Sequence, residues 1–398
     1  MLNINKKCSA LRKAGLTAGA VMALAFGTQT MAADKPVKLG IFLPYSGTYG
    51  HIGGGVDMGI RLAIEQNGGK LGGRDVEFVV VDSEADPSKA VANMQQLISG
   101  EQVDFVLGPV HSGVAMGALR VARQGNTILV IPNAGLNVAT RQLCAPNIFR
   151  TSFSNWQTDH GMAQPAWDRG MRNVVTISWR YSAGEEHLSG FEEEFKRLGG
   201  TIEKRILVPF PDVDFQAQLT QIASMNPDGV YAFFAGGGAV RFLQDYAAAG
   251  LNNKIQLMGA GFLTDSLSGL DGIADGTLTT IHYADALDNE YNKAFRKAYL
   301  ERFDKEALIY SVQGYDTGKL LVKAMDTVKG NTDDRDALLK AMREVRFDDS
   351  PRGPWHFSKA QNPIQDMYLL EVQNNKNVVL GVAVKGLEDP GTGCSMMQ

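Results

Sequence analysis

One turn of the sequence combines a hydroxyl group with backbone amides that could bind an anion. The residues Val110, His111, Ser112 and Gly113 follow the apolar run DFVLGP and precede a stretch with the apolar spacing of a helix. The first N–H groups of a helix lack intrahelical partners, and the helix dipole favours negative charge beside them. We therefore predict that Ser112 and the neighbouring amides hold a carboxylate or a similar anion. A serine here is also typical of a helix N-cap, and the two roles are compatible.

The motifs of common enzyme classes are absent from the sequence. GxSxG, GxxxxGKS/T and HExxH do not occur. Glycines 236–238 follow an apolar run, but the GxGxxG spacing and the acidic ribose ligand of a dinucleotide site are missing. The histidines lack metal-ligand spacing; they are His51, His111, His160, His187, His282 and His356. We predict a non-enzymatic protein without a cofactor or a metal site.

Alternating strands and helices must position these residues. The apolar runs VKLGIFLP, DVEFVVVD, DFVLGP and NTILVIP are rich in branched side chains, which is typical of buried parallel strands, and NVVTIS, TIEKRILVP, GVYAFF and KIQLMGAG continue the pattern. Helices are predicted between the strands, over residues 54–66, 87–100, 113–123, 184–198, 215–224 and 240–250. The pattern predicts an α/β fold with two doubly wound parallel-sheet lobes.

Two segments repeat one order of elements. Residues 104–135 and 228–261 each indicate a strand, a small-residue turn, a helix, a strand and a glycine turn, in nearly equal lengths. Any two βαβ units share part of this likeness. Ligands of open α/β sheets bind beyond the carboxyl ends of the strands, so we expect a cleft there. Those ends are residues 110–113 and 133–136 in one lobe and 235–238 and 260–262 in the other.

The first 33 residues are typical of an export signal. Four bases and no acid accompany the apolar run AGLTAGAVMALAFG, and small residues follow at a cleavage site near residue 32 or 33. The run is shorter than the roughly 20 residues that a transmembrane helix needs. An ordinary N-terminal helix is the alternative interpretation. We predict that residues 1–33 are a signal peptide and that the mature protein is periplasmic.

Charge, length and cysteine content narrow the class of protein further. Without the four bases of the signal, 35 of the 39 bases remain against 43 acids, a formal charge of −8 that disfavours nucleic acid as a partner. About 365 residues exceed what one hydrophobic core usually serves, which predicts two domains. Cys144 and Cys394 remain, and one disulfide is the economical interpretation, with two free thiols as the alternative.

Six segments together resemble the type I periplasmic solute-binding proteins related to the leucine/isoleucine/valine-binding protein. They are KLGIFLPYSGTYG, GGRDVEFVVVDSEADPSKA, FVLGPVHSG, NIFRTSFSNWQ, DFQAQLTQIASMNPDGVYAFFAGG and GYDTGKLLVKA. The resemblance implies two lobes joined by three crossovers, a ligand in the cleft, and delivery to the two membrane subunits of an ABC importer. We assign residues 34–153 and 283–360 to lobe 1 and residues 154–282 and 361–398 to lobe 2, and we expect a monomer.

The resemblance carries ligand positions of the first lobe onto this chain. The serine that holds the ligand carboxylate falls on Ser112. The next turn, which holds carboxylate and ammonium groups in the family, falls on Ala134, Gly135 and Leu136, where Leu136 replaces a hydroxyl residue. An aromatic residue of the first strand–helix loop falls on Tyr49. The anion site of the family is therefore expected to be present.

At the second-lobe positions, small residues replace the aromatic and acidic residues of the family. Aromatic positions fall near Ala183, with Tyr181 two residues earlier, and near Gly237, while the acid that pairs with an ammonium group falls near Gly261, beside Phe262. A buried ammonium group without a partner costs several kcal/mol. These replacements disfavour an α-amino acid and open space beside apolar surface. They predict a small aromatic carboxylate, such as a benzoate derivative or a hydroxycinnamate.

The segments YSAGEE and DPGTGCSM also resemble the members of this family that serve aromatic-compound uptake. That likeness implies a disulfide between Cys144 and Cys394, which would hold the tail near the boundary of lobe 1. A branched-chain amino acid binder and a ligand sensor of the same fold are the alternatives to an aromatic carboxylate transporter.

Overall fold

The chain forms two lobes, each built around one β-sheet. The computed structural model describes residues 35–125 and 127–398, and the predicted signal peptide lies outside them. The strands are β1 (Val37–Leu43), β2 (Lys70–Leu71), β3 (Arg74–Asp82), β4 (Phe105–Leu107), β5 (Ile128–Ile131), β6 (Ile148–Arg150), β7 (Asn173–Arg180), β8 (Thr201–Pro209), β9 (Gly229–Phe233), β10 (Gln256–Ala260), β11 (Leu278–Ile281), β12 (Arg346–Phe347), β13 (Trp355–Phe357), β14 (Pro363–Gln373) and β15 (Lys376–Leu387). The helices are α1 (Gly50–Gln66), α2 (Ala90–Gln95), α3 (Ser112–Gln124), α4 (Asn155–Asp168), α5 (Ser182–Arg197), α6 (Gln216–Met225), α7 (Gly237–Ala248), α8 (Glu290–Phe303), α9 (Ile309–Thr327) and α10 (Arg335–Glu344).

The first sheet has the strand order β2-β3-β1-β4-β5-β6. All neighbours in it are parallel except the short pair β2–β3. Every residue of β4 and β5 is buried, because strands inside a parallel sheet are covered by helices on both faces. The continuous apolar runs in the sequence are a direct consequence of this burial.

The second sheet has the order β12-β13-β14-β11-β10-β9-β7-β8, with β15 paired to β14. Strands β8, β7, β9, β10 and β11 run parallel to their neighbours, and pairing is antiparallel from β11 onward to β14, β13, β12 and β15. The predicted α/β class with two lobes is confirmed. Both sheets are mixed, mostly parallel with antiparallel pairing at one edge.

The chain passes between the two sheets three times, after β6, after β11 and before β12. Arg352, in the loop between β12 and β13, bonds the first passage, because its buried guanidinium donates hydrogen bonds to the carbonyl oxygens of Thr151 (2.6 Å) and Ser152 (3.0 Å). The predicted divisions of the lobes at residues 153 and 282 fall in the first two passages, the one at residue 360 falls between β13 and β14, and all three remain predictions.

Strand order fixes where the loops of the two lobes meet. In the first sheet β1 lies between β3 and β4, and in the second β7 lies between β8 and β9. Successive connections leave such a strand in opposite directions, which opens a crevice beyond its carboxyl end. The loops after β1 and β4 therefore face the loops after β7 and β9, and residues at these four strand ends build the cleft.

Candidate ligand-binding site

A small cavity of about 30 Å³ lies in the cleft. Both lobes contribute to its walls. Its lining residues are Tyr49, Ile52, Val110, Ser112, Asn133, Gly135, Phe153, Asn155, Tyr181, Ala183, His187, Phe233, Ala235, Phe262 and Tyr310. Six of the residues predicted from the sequence line this cavity: Tyr49, Ser112, Gly135, Tyr181, Ala183 and Phe262.

Ser112 is the first residue of α3, and its hydroxyl group is available to a ligand. The N-cap of the helix is His111, whose Nδ1 accepts a hydrogen bond from the N–H of Gly113 at 3.1 Å. Within the described part of the chain, the one hydrogen bond of Ser112 Oγ is a long contact of 3.5 Å with Asn155 Nδ2. The interpretation of Ser112 as the N-cap is therefore wrong, because His111 has that role.

Of the three predicted residues in the turn after β5, only Gly135 lines the cavity. Ala134 and Leu136 pack in the core of the first lobe, and the N–H of Ala134 donates to Pro109 O at 3.1 Å. Gly135 lies so close to α4 that a Cβ atom would be 2.1 Å from Asn155 Oδ1. Glycine is needed here because any side chain would collide with Asn155 and fill the cavity.

Two predicted glycines of the second lobe lie outside the cavity lining. Gly261 lines a separate cavity near Asp265, and a Cβ atom there would be 2.6 Å from Ile281 Cβ. Gly237 begins α7 beside open space. The preceding Gly236, with φ of +62°, is the residue that approaches the first lobe, since a Cβ atom there would be 2.8 Å from Thr48 O.

Four aromatic side chains close the cleft at one side of the cavity. We call them the closure cluster; they are Tyr49, His111, Tyr181 and Phe210. The hydroxyl groups of Tyr49 and Tyr181 are 2.8 Å apart. The ring of His111 stacks on Tyr181 with centroids 4.8 Å apart and lies 5.0 Å from Phe210. Burial lowers the pKa of His111 to about 4. His111 therefore acts in the contact between the lobes and not in the cavity wall.

Sequence patterns did not identify six of the lining residues: Ile52, Phe153, Asn155, His187, Phe233 and Tyr310. Phe233 and Ala235 lie at the end of β9, where a ligand was expected, whereas His187 and Tyr310 lie on helices. The hydroxyl group of Tyr310 is buried and has no partner among residues 35–125 and 127–398. Such groups are rare in folded proteins, and a ligand oxygen would satisfy this one.

A family model described as periplasmic binding protein matches residues 36–377. Leu/Ile/Val-binding protein homolog 6 of Brucella melitensis biotype 1 is 32% identical over 372 residues, which cover 91% of this chain and 93% of that protein. The chain belongs to the Leu/Ile/Val-binding family of periplasmic binding proteins. The family predicted from the sequence is confirmed, and with it the assignment to solute-binding proteins instead of enzymes.

Two solved structures of solute-binding proteins contain aromatic acids. An ABC transporter solute-binding protein of R. palustris in complex with benzoate is 43% identical, has a TM-score of 0.88, and matches over 90% of this chain and 99% of its own. A second, from Rhodopseudomonas palustris BisB5 in complex with 3,4-dihydroxybenzoic acid, is 28% identical with a TM-score of 0.84, over 89% of this chain and 99% of its own. This periplasmic binding protein is therefore an ABC-transporter solute-binding protein.

The cavity of this solute-binding protein is poor in charge. Of the described residues that line it, none is Asp, Glu, Lys or Arg. Glu186 is an acid that lies one hydrogen bond behind the lining, since its Oε2 accepts from Asn155 Nδ2 (2.7 Å) and from the N–H of Asn137 (2.9 Å). Burial raises the pKa of Glu186. Its carboxylate thus joins α5 to the first lobe and lies behind the cavity wall.

The C-terminal tail of the binding protein is attached to the first lobe. Cys394 forms a disulfide with Cys144, with Cα atoms 5.5 Å apart. Asp389 accepts two hydrogen bonds from Arg141, both 3.0 Å, and one from Ser154 Oγ at 2.6 Å. Together these contacts hold the tail against the passage between the lobes.

The described residues offer no group of three or more His, Cys, Asp or Glu side chains that could hold a metal ion. The helices within the described ranges include none with the length and apolar character needed to cross a membrane.

Proposed function

We propose that this protein binds a small aromatic carboxylate, of the benzoate or hydroxycinnamate type, and presents it to the membrane subunits of an ABC importer. The observation that carries the proposal is the combination of aromatic walls with an uncharged lining. Phe153 and Phe262 have ring centroids 5.0 Å apart, and Phe233 meets Phe262 edge-on at 6.2 Å. Such rings favour a further aromatic ring beside them.

The carboxylate of the ligand has donors in the first lobe. Ser112 Oγ and the N-terminal amides of α3 offer hydrogen bonds and a favourable helix dipole. The unpartnered hydroxyl group of Tyr310 offers another donor. Burial raises the pKa of Tyr310 well above its usual range, so the phenol keeps its proton and can donate it to an anion.

The relatives support an aromatic acid as the ligand class, because the two solved structures described above contain benzoate and 3,4-dihydroxybenzoic acid. The lining adds an independent reason. The ammonium group of an amino acid would enter a cavity without a carboxylate in its wall, and desolvation of that charge would cost several kcal/mol.

A branched-chain amino acid is the second candidate ligand. The name of the Brucella relative and the position of Glu186 behind Asn155 favour it. Glu186 does not line the cavity, however, and its Oε2 already accepts hydrogen bonds from Asn155 and Asn137.

In the proposed cycle the signal peptide of residues 1–33 is removed and the monomeric protein works in the periplasm. The ligand carboxylate docks first at Ser112, and the second lobe then closes over the ring. Closure is a population shift driven by contacts that exist only in the closed state.

A thermal-shift panel on ligand-stripped protein tests the proposal, with leucine, isoleucine, valine, benzoates, phenylacetates and cinnamates as ligands. An aromatic acid at 100 times its Kd should stabilise the folded protein by about 2.7 kcal/mol. Isothermal titration then measures the affinity of each hit. Stabilisation by amino acids alone would overturn the proposal and establish the second candidate.

A further inference from the structure

His187 and Asp159 form a buried pair at the second-lobe wall of the cavity. His187 Nδ1 lies 2.5 Å from Asp159 Oδ2, and the two side chains are 1% and 0% exposed. Asp159 also accepts hydrogen bonds from the hydroxyl groups of Thr158 (2.8 Å) and Tyr231. A carboxylate that accepts from three donors is held in one orientation and fixes the imidazole in turn.

The second nitrogen of His187, Nε2, is left for a ligand, since the hydrogen bonds of the ring use Nδ1. His187 lines the cavity, and both hydrogen bonds of its ring use Nδ1. Its Nε2 has no hydrogen-bond partner among residues 35–125 and 127–398. Unlike the fully buried polar atoms that lack a partner, Nε2 retains some exposed surface. The ring stacks on Phe233 with centroids 3.6 Å apart, which leaves little freedom to turn.

The hydrogen bond between Nδ1 and Asp159 determines whether Nε2 donates or accepts a hydrogen bond. A proton on Nδ1 is needed to donate to the carboxylate, so the neutral imidazole carries its lone pair on Nε2. That lone pair accepts a hydrogen bond. In the same segment, the hydroxyl group of Tyr181 is already bonded to Tyr49, so His187 is the free acceptor that α5 offers to a ligand.

We propose that His187 Nε2, positioned by Asp159, accepts a hydrogen bond from a hydroxyl group on the ligand ring and makes the site selective for hydroxylated benzoates over benzoate. This inference rests on the proposed function. A site built to pair a ligand hydroxyl discriminates against the analogue that lacks it, because the buried acceptor is then left without a donor. In this arrangement Ser112 holds the carboxylate and His187 recognises the far part of the ring.

Isothermal titration of benzoate, 3-hydroxybenzoate, 4-hydroxybenzoate and 4-methoxybenzoate tests the inference. The wild type should bind at least one hydroxybenzoate about ten-fold or more tightly than benzoate, which corresponds to about 1.4 kcal/mol. His187→Leu should bring that ratio close to one. His160→Leu is the matched control, since His160 stacks on Trp156 outside the cavity lining and should leave the ratio unchanged.

Asp159→Asn separates a positioning role from a structural one. The amide would donate to Nδ1 and move the imidazole proton to Nε2, which then donates instead of accepting. The preference for hydroxybenzoate over 4-methoxybenzoate should shrink or reverse, because the methoxy oxygen only accepts. His187→Gln keeps an acceptor and should retain part of the ratio, and circular dichroism checks that each variant is folded.

Three outcomes are distinguishable. Equal affinity of the wild type for benzoate and the hydroxybenzoates, or an unchanged ratio in His187→Leu, would overturn the inference and leave the proposed function intact. A wild type that binds no aromatic carboxylate would overturn both. A ratio that collapses in His187→Leu and shifts toward the methoxy analogue in Asp159→Asn would establish it.

Discussion

The hydroxyl groups of Tyr49 and Tyr181 lie 2.8 Å apart and join the lobe that carries β1 to the lobe that carries β7. Burial raises the pKa of both phenols, so the contact is a hydrogen bond between neutral groups at physiological pH. Because the two residues belong to different lobes, this bond can form only when the cleft is closed. It is one of the contacts that stabilise the closed form around a ligand.

Tyr49→Phe and Tyr181→Phe should each weaken ligand binding by about 2- to 10-fold, the loss of about 0.5–1.5 kcal/mol for one neutral hydrogen bond. Titration calorimetry with the best ligand of the panel measures this change. Tyr246→Phe is the control, because its hydroxyl group donates to Ile255 O within the second lobe. Equal affinities in all three variants and the wild type would show that the bond does not favour closure.

Ser112→Ala should weaken the binding of an aromatic carboxylate by about 1–3 kcal/mol, because a hydrogen bond to a charged group is lost. The neutral amide of the same acid serves as the comparison ligand. The amide should bind more weakly than the acid, and Ser112→Ala should reduce its affinity less, since a hydrogen bond to a neutral group contributes less free energy. An unchanged carboxylate affinity would show that the ligand anion is held elsewhere.

Ligand affinity should decrease as pH falls from about 6.5 toward 5. Burial in the closure cluster lowers the pKa of His111 to about 4, so the open form binds a proton more readily than the closed form. Above the ordinary histidine pKa of about 6.5, protonation does not oppose closure. Below it, protonation stabilises the open form, and ligand affinity falls by up to about 30-fold at pH 5.

His111→Asn isolates this effect. Asparagine can cap α3 as His111 does, but it does not titrate. The ratio of wild-type to variant affinity, measured between pH 5 and 8, should fall with decreasing pH. A constant ratio across that range would contradict a role for His111 in closure.

Replacement of both Cys144 and Cys394 by alanine should lower the free energy of unfolding by about 2–4 kcal/mol, the typical contribution of a disulfide. Ligand affinity should remain within about three-fold of the wild type, because neither cysteine lines the cavity. Chemical unfolding and titration calorimetry measure the two effects. Intact mass with and without reductant shows whether the wild type carries the bond, and two free thiols would contradict the assignment.

The sequence predicted those features of the structure that depend on residues close together in the chain. Strands β1, β4, β5 and β9 were predicted because buried parallel strands are continuous apolar runs. Ser112 was predicted to lie in the cleft because a strand, a turn and a helix follow one another there, and the structure places it in the cavity wall.

Helix α4 was not predicted, for a physical reason. Pro165 lies inside it, and polar residues such as Gln157 and Asp159 occupy its buried face, so the apolar spacing of a helix is absent. The pairing of Asp159 with His187 depends on how α4 docks against α5. Contacts of that kind arise from tertiary packing and leave no pattern along the chain.

Arg352 joins the first passage between the lobes to the loop between β12 and β13. A guanidinium that bonds two carbonyl groups of a neighbouring segment resists sliding of one segment past the other, but it tolerates small torsional changes around the contact. We therefore expect the lobes to move relative to each other with little displacement at Arg352 itself. Spin labels at the tips of the two lobes would report a large change in separation between the open and closed forms, and labels beside Arg352 almost none.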